Sequence, residues 1–439
     1  MLDYPPRLIC CCGIHFKSVM KTTLFLSSLL TACATCVAQA DELTVAKTET
    51  KTIDGDLITN RLTINGANSP TDKGGSLIVK GKTIIEANLP SGNGSQLQMG
   101  SILESDSVEF ISSTTSWVRQ FTIFGTVKTN SFKVSATEGY SALINITSGG
   151  GCVQSSGTEK GTFEVGKNTT LNIGNASKSA AGSIKNMNTV INGGALIVDH
   201  YATMDGITVN SGTVNVTNNA KPDWGIGQID SAIELGNITV KGGTFSLEKD
   251  AWIGSNSDVT VDGGTFSLDE ASIGSSITVE SGVLNILGDC QTGDLILNGG
   301  TINFGENAVT LDAEGLASTV TTVTTGAMTL NSGTIYVADN YVIDLGGEDL
   351  TLTEKVNIVM SVDSLDDVEG ITLFEAAGKV EGLDKLSVTL VDSTGAEKEM
   401  AASYSSDGSV VTTTTVPEPT TATLSLLALA ALAARRRRK

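Results

Sequence analysis

The sequence predicts an all-β protein built as a parallel β-helix, a solenoid in which coils of short strands stack on one another. A glycine-centred repeat recurs along the chain, each copy alternates apolar and polar residues, and no long segment between Leu57 and Thr415 has helical periodicity. Glycine is abundant, with 48 residues, whereas proline is scarce, with 7. This composition is typical of a folded all-β chain rather than a disordered one.

The repeat is clearest between residues 191 and 340. Its copies run from Ile207 to Val216, Ile238 to Leu247, Val259 to Leu268, Ile277 to Ile286, Leu295 to Phe304 and Met328 to Val337, with a degenerate copy around Gly193 and Gly194. The second glycines of these copies are Gly194, Gly212, Gly243, Gly264, Gly282, Gly300 and Gly333. A period near 20 with occasional insertions predicts stacked coils.

Within a copy, the apolar and polar positions alternate as in a strand. We expect Ile238, Val240, Phe245 and Leu247 to point inward, because they share one face of an alternating pattern. The polar positions between them should point outward, and the glycine pair should turn the chain from one strand into the next. Two copies are followed by a short apolar segment, Ala251 to Gly254 and Ala271 to Gly274, which predicts a third strand in the coil.

The regions on either side of these repeats are less regular. Residues 41–190 are interpreted as a degenerate part of the same β-helix, with about 20 residues per coil. Residues 341–411 lose the glycine pair and gain acidic residues, so we interpret them as a C-terminal β cap. Near its end, Tyr404 to Thr412 predicts a β-hairpin about Asp407 and Gly408.

Outward threonines recur at two positions of the repeat. One row comprises Thr213, Thr244, Thr265, Thr301 and Thr334, and the other comprises Thr208, Thr239, Thr260, Thr278 and Thr329. Stacking would make two threonine ladders, which the β-propensity of threonine explains. Flat threonine arrays also bind ice in several β-solenoids, so ice binding is one alternative function, although Val283 and Ile296 interrupt the rows.

The N-terminal region predicts an exported protein. Residues 20–40 carry a positive charge, an apolar stretch and an A-x-A site at Ala38 and Ala40, so signal peptidase should release a mature chain that starts at Asp41. Residues 1–19 do not resemble a signal sequence and are interpreted as a misassigned start. An alternative is a lipoprotein signal with Cys33 as the lipidated residue.

Residues 412–439 form a second targeting segment. A Val416-Pro417-Glu418-Pro419 motif precedes an apolar run from Thr420 to Ala434. The chain then ends in a basic cluster of Arg435, Arg436, Arg437, Arg438 and Lys439. The apolar run is shorter than the roughly 20 residues of a stable membrane helix, and the cations should remain on the cytoplasmic side.

This tail resembles the PEP-CTERM sorting signal. The resemblance implies recognition of Val416 to Pro419 by exosortase, a membrane transpeptidase, with the short helix and the arginines holding the tail in the membrane until processing. The alternative is an ordinary C-terminal membrane anchor. The glycine-rich repeats look like those of autotransporter passenger domains from about Leu57 to Val337, but the typical C-terminal β-barrel translocator is missing. Known folds of this period are right-handed, so we predict a right-handed helix.

Charge and motifs argue against several function classes. The 48 acidic and 28 basic residues give a net charge of −20, which disfavours binding to nucleic acid. The sequence contains no recognisable catalytic, metal-binding or cofactor-binding motif, and His200 is the only histidine of the predicted mature chain. Many β-helix proteins cleave polysaccharides with paired acids, so a polysaccharide lyase or hydrolase is the main alternative.

The sequence therefore predicts a non-enzymatic, exported surface or extracellular-matrix β-solenoid, without a metal or cofactor. Its expected partners are signal peptidase, an exosortase-type enzyme and exopolysaccharide or surface glycans, the last implying an adhesive role. It should associate transiently with the inner membrane through its tail before it reaches the cell surface or the medium. Cys152 and Cys290, the two cysteines of the mature chain, should lie several coils apart and too far for a disulfide.

Overall fold

The computed structural model describes most of the chain beyond residue 36. The described ranges are 37–66, 73–87, 94–113, 119–147, 150–174, 182–199, 202–217, 234–254, 257–305, 321–339, 341–366, 368–405 and 410–415. They form two compact units, divided between Leu295 and Ile296. Strands dominate both, and the helical content of the described residues is a single 3₁₀ turn at Leu383–Lys385.

Unit 1 is built almost entirely of short parallel strands. They are β1 (Val37–Val45), β2 (Thr50–Ile53), β3 (Asp56–Ile64), β4 (Ser76–Ala87), β5 (Ser95–Leu97), β6 (Ile102–Ser112), β7 (Arg119–Ile123), β8 (Thr126–Lys128), β9 (Ser131–Ala136), β10 (Ala142–Ile146), β11 (Gly151–Val153), β12 (Gly161–Val165), β13 (Thr169–Ile173), β14 (Ser183–Lys185), β15 (Met187–Val198), β16 (Thr203–Val216), β17 (Glu234–Val240), β18 (Thr244–Leu247), β19 (Trp252–Ile253), β20 (Val259–Asp269), β21 (Ser272–Ile273) and β22 (Ile277–Leu287).

These strands form three parallel ladders, which we call sides A, B and C of unit 1. Side A runs through β2, β4, β6, β8, β11, β14, β16 and β17. Side B runs through β1, β3, β4, β6, β9, β12, β15, β16, β17, β20 and β22. Side C runs through β1, β3, β5, β7, β10, β13, β15, β16, β18, β20 and β22. Longer strands bend from one side to the next.

This arrangement supports the predicted β-helix. Inward positions are confirmed: Ile238, Val240, Phe245 and Leu247 are all buried, while the residues between them are partly or fully exposed. The predicted short strands are also confirmed, because β19 and β21 pair in parallel. Handedness stays a prediction.

The core of unit 1 contains stacked phenylalanines. Phe132 packs between Phe121 and Phe163, with ring centroids 6.2 and 4.6 Å apart. Farther along the chain, Phe245 and Phe266 stack at 5.0 Å. Phe132 with Phe163 and Phe245 with Phe266 are in register on adjacent parallel strands, so their rings stack between coils, whereas Phe121 reaches Phe132 from side C across the interior of the helix.

Glycines allow a close approach between coils at the bend from side B to side C. A Cβ atom at Gly212, Gly243 or Gly282 would overlap the carbonyl oxygen of Gly194, Gly212 or Gly264, respectively. These three glycines also have positive φ angles, of 94°, 72° and 86°. Only glycine fits both requirements, which explains why glycine recurs at this position of the repeat.

The upstream coils are longer than the sequence predicts. Side B places Leu57 beside Thr83, Thr83 beside Val108, Val108 beside Phe132, Phe132 beside Phe163 and Phe163 beside Thr189. Each of these steps along the chain exceeds the predicted coil of about 20 residues. The prediction was wrong for this region because its sides are joined by longer connections rather than by a glycine pair.

Unit 2 begins within β23 (Leu295–Leu297) and also contains parallel ladders. Its strands are β24 (Thr301–Phe304), β25 (Thr321–Thr324), β26 (Met328–Leu330), β27 (Gly333–Val337), β28 (Tyr341–Asp344), β29 (Leu350–Leu352), β30 (Val356–Ser361), β31 (Thr372–Glu375), β32 (Val380–Glu381), β33 (Leu386–Val391), β34 (Glu397–Ser405) and β35 (Val410–Thr415). One ladder joins β24, β27, β30 and β33, a second joins β25, β28 and β31, and a third joins β26, β29 and β32.

Parallel pairing thus continues into the segment interpreted as a cap. Antiparallel pairing begins at β33, which pairs with β34, and β35 pairs antiparallel with both β34 and β31. The predicted hairpin is confirmed by the pairing of Ser405 with Val410, although Asp407 and Gly408 lie outside the described residues. Val356 to Ser361 alternate between buried and more exposed positions over most of their length, so this strand continues the parallel β-ladder of unit 2 without a glycine pair.

Candidate functional site

The predicted signal-cleavage residues lie on the first strand. Ala38 pairs in register with Leu57 and Ala40 with Thr59, while Glu42, just downstream, forms an ion pair with Arg61 on the neighbouring strand. The strand continues past the predicted cleavage site to Val45. Cleavage after Ala40 stays a prediction.

The sorting-signal residues fall outside the described part of the chain. Val416, Pro417, Glu418 and Pro419, the apolar run and the basic cluster of Arg435, Arg436, Arg437 and Arg438 all belong to residues 416–439. Cys33 and His200 also lie outside it. No helix among the described residues is long and apolar enough to span a membrane.

The outward threonines align across coils. In unit 1, Thr213, Thr244 and Thr265 are in register, and the next coil places Val283 at this position. Thr208, Thr239, Thr260 and Thr278 form a second aligned row on side B. In unit 2, Thr301 aligns with Thr334. The rows are short, and a ligand for them stays hypothetical.

The outer surface of side C carries a groove. It is open, with a volume of about 680 Å³. Its lining consists of Gln96, Gln120, Thr122, Phe124, Asn145, Thr147, Asn172, Ile173, Gly174, Ile197 and Asp199. Most of these side chains are uncharged amides or hydroxyls that both donate and accept hydrogen bonds.

The strand register explains why these residues form a row. Gln96 lies beside Thr122, Thr122 beside Asn145, Asn145 beside Asn172 and Asn172 beside Ile197, each on a successive coil. Adjacent parallel strands are about 4.8 Å apart, so the five positions extend over roughly 19 Å. The site is therefore an elongated array with one side chain per coil.

Hydrogen bonds connect parts of this row. The Asn172 Nδ2 group donates to Asn145 Oδ1 at 2.9 Å. Within β7, the Gln120 Nε2 group donates to Thr122 Oγ1, also at 2.9 Å. These bonds orient the amides while leaving the row partly exposed, as suits a binding surface.

The row is interrupted at Ile197. This side chain is 36% exposed, and it lies in register between Asn172 and Asn215. Both Asn172 Oδ1 and Asn215 Oδ1 are buried without a hydrogen-bond partner. The neighbouring isoleucine has no polar hydrogen to donate, and an unsatisfied buried acceptor costs about 1–3 kcal/mol.

The electrostatics of the groove disfavour anions. Asp199 is the single charged residue among its described lining residues. Its Oδ1 atom accepts a hydrogen bond from Thr217 Oγ1 at 3.2 Å. A described lining of amides with one carboxylate and no cation fits an uncharged ligand better than a phosphate or an acidic polymer.

A pair of acids is the main titratable feature of unit 2. Burial raises the pKa of Asp339, and the neighbouring Asp363 carboxyl raises this pKa further through repulsion and a hydrogen bond. The two residues follow β27 and β30, which are adjacent strands of one ladder. Two carboxyls that share a proton are a feature of some hydrolytic sites, but close packing of surface acids has the same effect.

The two cysteines of the described chain are buried free thiols. Burial raises the pKa of Cys290 to about 11 and the pKa of Cys152 still higher, so both resist ionisation. Across the described residues, His, Cys, Asp and Glu form no group of three or more that could hold a metal ion.

Sequence reasoning missed the groove. It lies between Gln96 and Asp199, where the glycine repeat is weak and coil length varies, so the neighbours of each polar residue could not be assigned. One signal was available: Ala195-Leu196-Ile197-Val198 places an apolar residue at an outward position of a strand.

Two family profiles match short parts of the chain. Residues 415–439 match the PEP-CTERM protein-sorting motif. Residues 212–242 match a protein family of unknown function, DUF3553, which carries no functional information. No match was found among curated proteins. The chain thus carries a PEP-CTERM sorting motif on an all-β, β-helix-like body, and this motif indicates export with membrane-linked, exosortase-type sorting.

Proposed function

We propose that this chain is a non-enzymatic surface or extracellular-matrix β-helix protein that is exported, cleaved by signal peptidase and then processed at its C-terminus by an exosortase-type enzyme. The PEP-CTERM match at residues 415–439 carries this proposal. Unit 1 contributes a repetitive outer surface, because outward side chains of its successive coils form rows. Such rows suit contact with extended partners at the cell surface.

An adhesive or matrix role is supported by the chemistry of the groove on side C. Its lining offers hydrogen-bonding groups and two apolar side chains, Phe124 and Ile197, with one carboxylate, Asp199. Glycosidases use two carboxyl groups, about 5–9.5 Å apart, and the described lining of this groove holds only one, so it lacks the usual pair for hydrolysis. Binding without turnover is the function that this lining supports best.

A glycan-cleaving enzyme remains the second candidate, and Asp339 with Asp363 would be its acids. The raised pKa of Asp339 suits a general acid. Under this alternative, Asp339→Asn should abolish glycan cleavage by the purified protein. Under the proposed function, the wild-type protein releases no reducing ends or unsaturated products from the same glycans.

The sorting assignment is tested by replacing Pro417, Glu418 and Pro419 with alanine. We expect the variant to accumulate as an unprocessed, membrane-retained species, because the motif that the processing enzyme recognises is lost. Cell fractionation and intact mass measurement would identify it. The wild type should instead begin at Asp41, lack its arginine tail and appear at the surface or in the medium.

A matched control replaces the partly exposed Thr412 and Thr414 with alanine, which changes the adjoining segment but keeps the motif and the buried Thr413. Normal processing of the control together with retention of the motif variant would support the proposal. Unchanged processing of the motif variant would refute it. A wild-type species that keeps Arg435 to Arg438 would indicate a plain membrane anchor.

A further inference from the structure

We propose that the groove on side C of unit 1 binds a segment of an uncharged, hydroxyl-rich glycan, with Asn172 and Ile197 at the end of its row and Asn215 on the next coil beyond them. This inference rests on the proposed function in one respect, because export brings the groove to where such polymers occur. The sorting motif does not contribute to the binding argument. The proposal is carried by the row of side chains and its interruption at Ile197.

The geometry of the row fits a polymer with a repeating unit. Gln96, Thr122, Asn145 and Asn172 lie on successive coils, so a hydrogen-bonding side chain recurs about every 4.8 Å. Amides and hydroxyls can both donate to and accept from sugar hydroxyls. A linear glycan that follows the row would meet a new polar group at each coil.

The interruption provides a contact of a different kind. Ile197 exposes 36% of its surface where its in-register neighbours are asparagines. A sugar ring has an apolar face of C–H groups and a rim of hydroxyls. Its apolar face can pack on Ile197 while its hydroxyls approach the two asparagines.

Two buried asparagine oxygens without hydrogen-bond donors would add affinity for a sugar that packs on Ile197. Asn172 Oδ1 and Asn215 Oδ1 are buried and lack donors, and they flank Ile197 on both sides. A rotamer change of Ile197 would open a path to either oxygen. A ligand hydroxyl that donates to one of them then satisfies a group that the protein itself leaves unpaired.

Other classes of ligand fit less well. An added peptide strand needs unpaired backbone groups, but β7, β10 and β13 are each paired on both sides, so side C has no free edge in the groove. Anionic polymers would meet Asp199 without a compensating cation in the described lining. The chemistry thus selects a neutral glycan.

The test uses the protein in the form purified from its native cell fraction, and its variant Ile197→Asn. The probes are dextran, a neutral β-glucan and the neutral polysaccharide fraction of the host, with polygalacturonate as an acidic counterpart. We expect the wild type to bind at least one neutral probe and Ile197→Asn to bind it at least tenfold more weakly, as measured by affinity electrophoresis and calorimetry. The introduced asparagine removes the apolar contact with the sugar ring, and its amide can donate to Asn172 Oδ1 or Asn215 Oδ1 in place of the ligand.

The control is Thr260→Asn, which introduces the same residue into the threonine row on side B, away from the groove. It should bind as the wild type does. Thermal unfolding of Ile197→Asn should occur at or above the wild-type temperature, which separates a lost contact from a lost fold.

Three results would overturn the proposal: failure of the wild type to bind any neutral probe, tighter binding to polygalacturonate, or equal binding by the wild type and Ile197→Asn. Each is independent of sorting. Fractionation of the same cells shows whether the Ile197→Asn protein is processed normally, so a failed groove and a failed sorting assignment give different outcomes.

Discussion

The coils of unit 1 downstream of Met187 and those upstream of it reach the same architecture in different ways. Downstream, glycines such as Gly212 and Gly282 turn the chain directly from side B to side C, and threonines align on the outer surface. Upstream, this connection varies: β1 and β3 run from side B to side C as continuous strands, whereas a longer segment joins β9 to β10. In both regions, strands of adjacent coils pair in parallel.

The difference shows what a β-helix requires and what it leaves free. Inward positions are buried and mostly apolar in both regions, as Phe132 and Phe266 illustrate. The outer surface varies: charged pairs connect adjacent coils in both regions, as Lys133 does with Glu164 and Lys249 with Glu270, whereas the aligned threonine rows lie downstream. A uniform core with variable corners lets one region remain regular while another forms a groove.

The largest expected effect tests whether the upstream and downstream coils of unit 1 have equally well-packed cores. Phe132→Ala and Phe266→Ala should each reduce the free energy of unfolding by about 3–5 kcal/mol, because each removes a fully buried ring. Phe132 stacks on two rings, so its loss should be at least as large. Chemical denaturation measures both. A much smaller loss for Phe132→Ala would show that the upstream core is loosely packed.

A second experiment concerns the corners. Gly282→Ala should destabilise the protein more than Gly139→Ala, although both glycines have positive φ angles, of 86° and 85°. The strain of a left-handed alanine, about 1–2 kcal/mol, is common to both. At Gly282 the new Cβ also overlaps the Gly264 carbonyl, whereas Gly139 has open space around it.

Hydrogen exchange resolved along the chain would locate these effects. Faster exchange in β20 and β22 is expected for Gly282→Ala, and exchange near Gly139 should change little in the other variant. Equal destabilisation by the two substitutions would contradict a requirement for close approach at the glycine bend.

The smallest expected effect concerns the pH dependence of stability in the acid-rich unit 2. The raised pKa of Asp339 means that its carboxyl binds a proton more tightly in the folded chain. Its contribution to stability is therefore full below the unfolded pKa of about 3.9 and is lost as pH rises through the higher folded value. Asp363→Asn removes the repulsion and should flatten this decline. The decline is measured by melting temperatures of the wild type and Asp363→Asn between roughly pH 3 and pH 7. An equal slope of melting temperature against pH in both proteins would contradict an interaction between the two carboxyls.

The sequence allowed the downstream coils to be predicted nearly residue by residue. Ile238, Val240, Phe245 and Leu247 are buried as expected, because alternation within a strand and a repeated glycine pair together define inward positions. The groove could not be predicted in this way. Its residues, such as Asn145, Asn172 and Ile197, become neighbours only through the register between coils of unequal length.

The candidate acids of unit 2 show the same limit. Asp339 and Asp363 are well separated in the sequence, and their proximity depends on the pairing of β27 with β30. Sequence patterns identify which side chains face outward, but they do not identify which outward residues meet across coils that lack a common repeat.

The first strand has a consequence for the order of events during export. Residues 37–40 pair with residues 56–59, and the predicted cleavage site lies at the end of this segment. A peptidase needs an extended, accessible substrate, which a paired strand does not offer. If the cut falls after Ala40, it must therefore precede closure of the first coil. Leader removal and folding would then compete in time, and a mutation that hastens folding at this end would slow maturation.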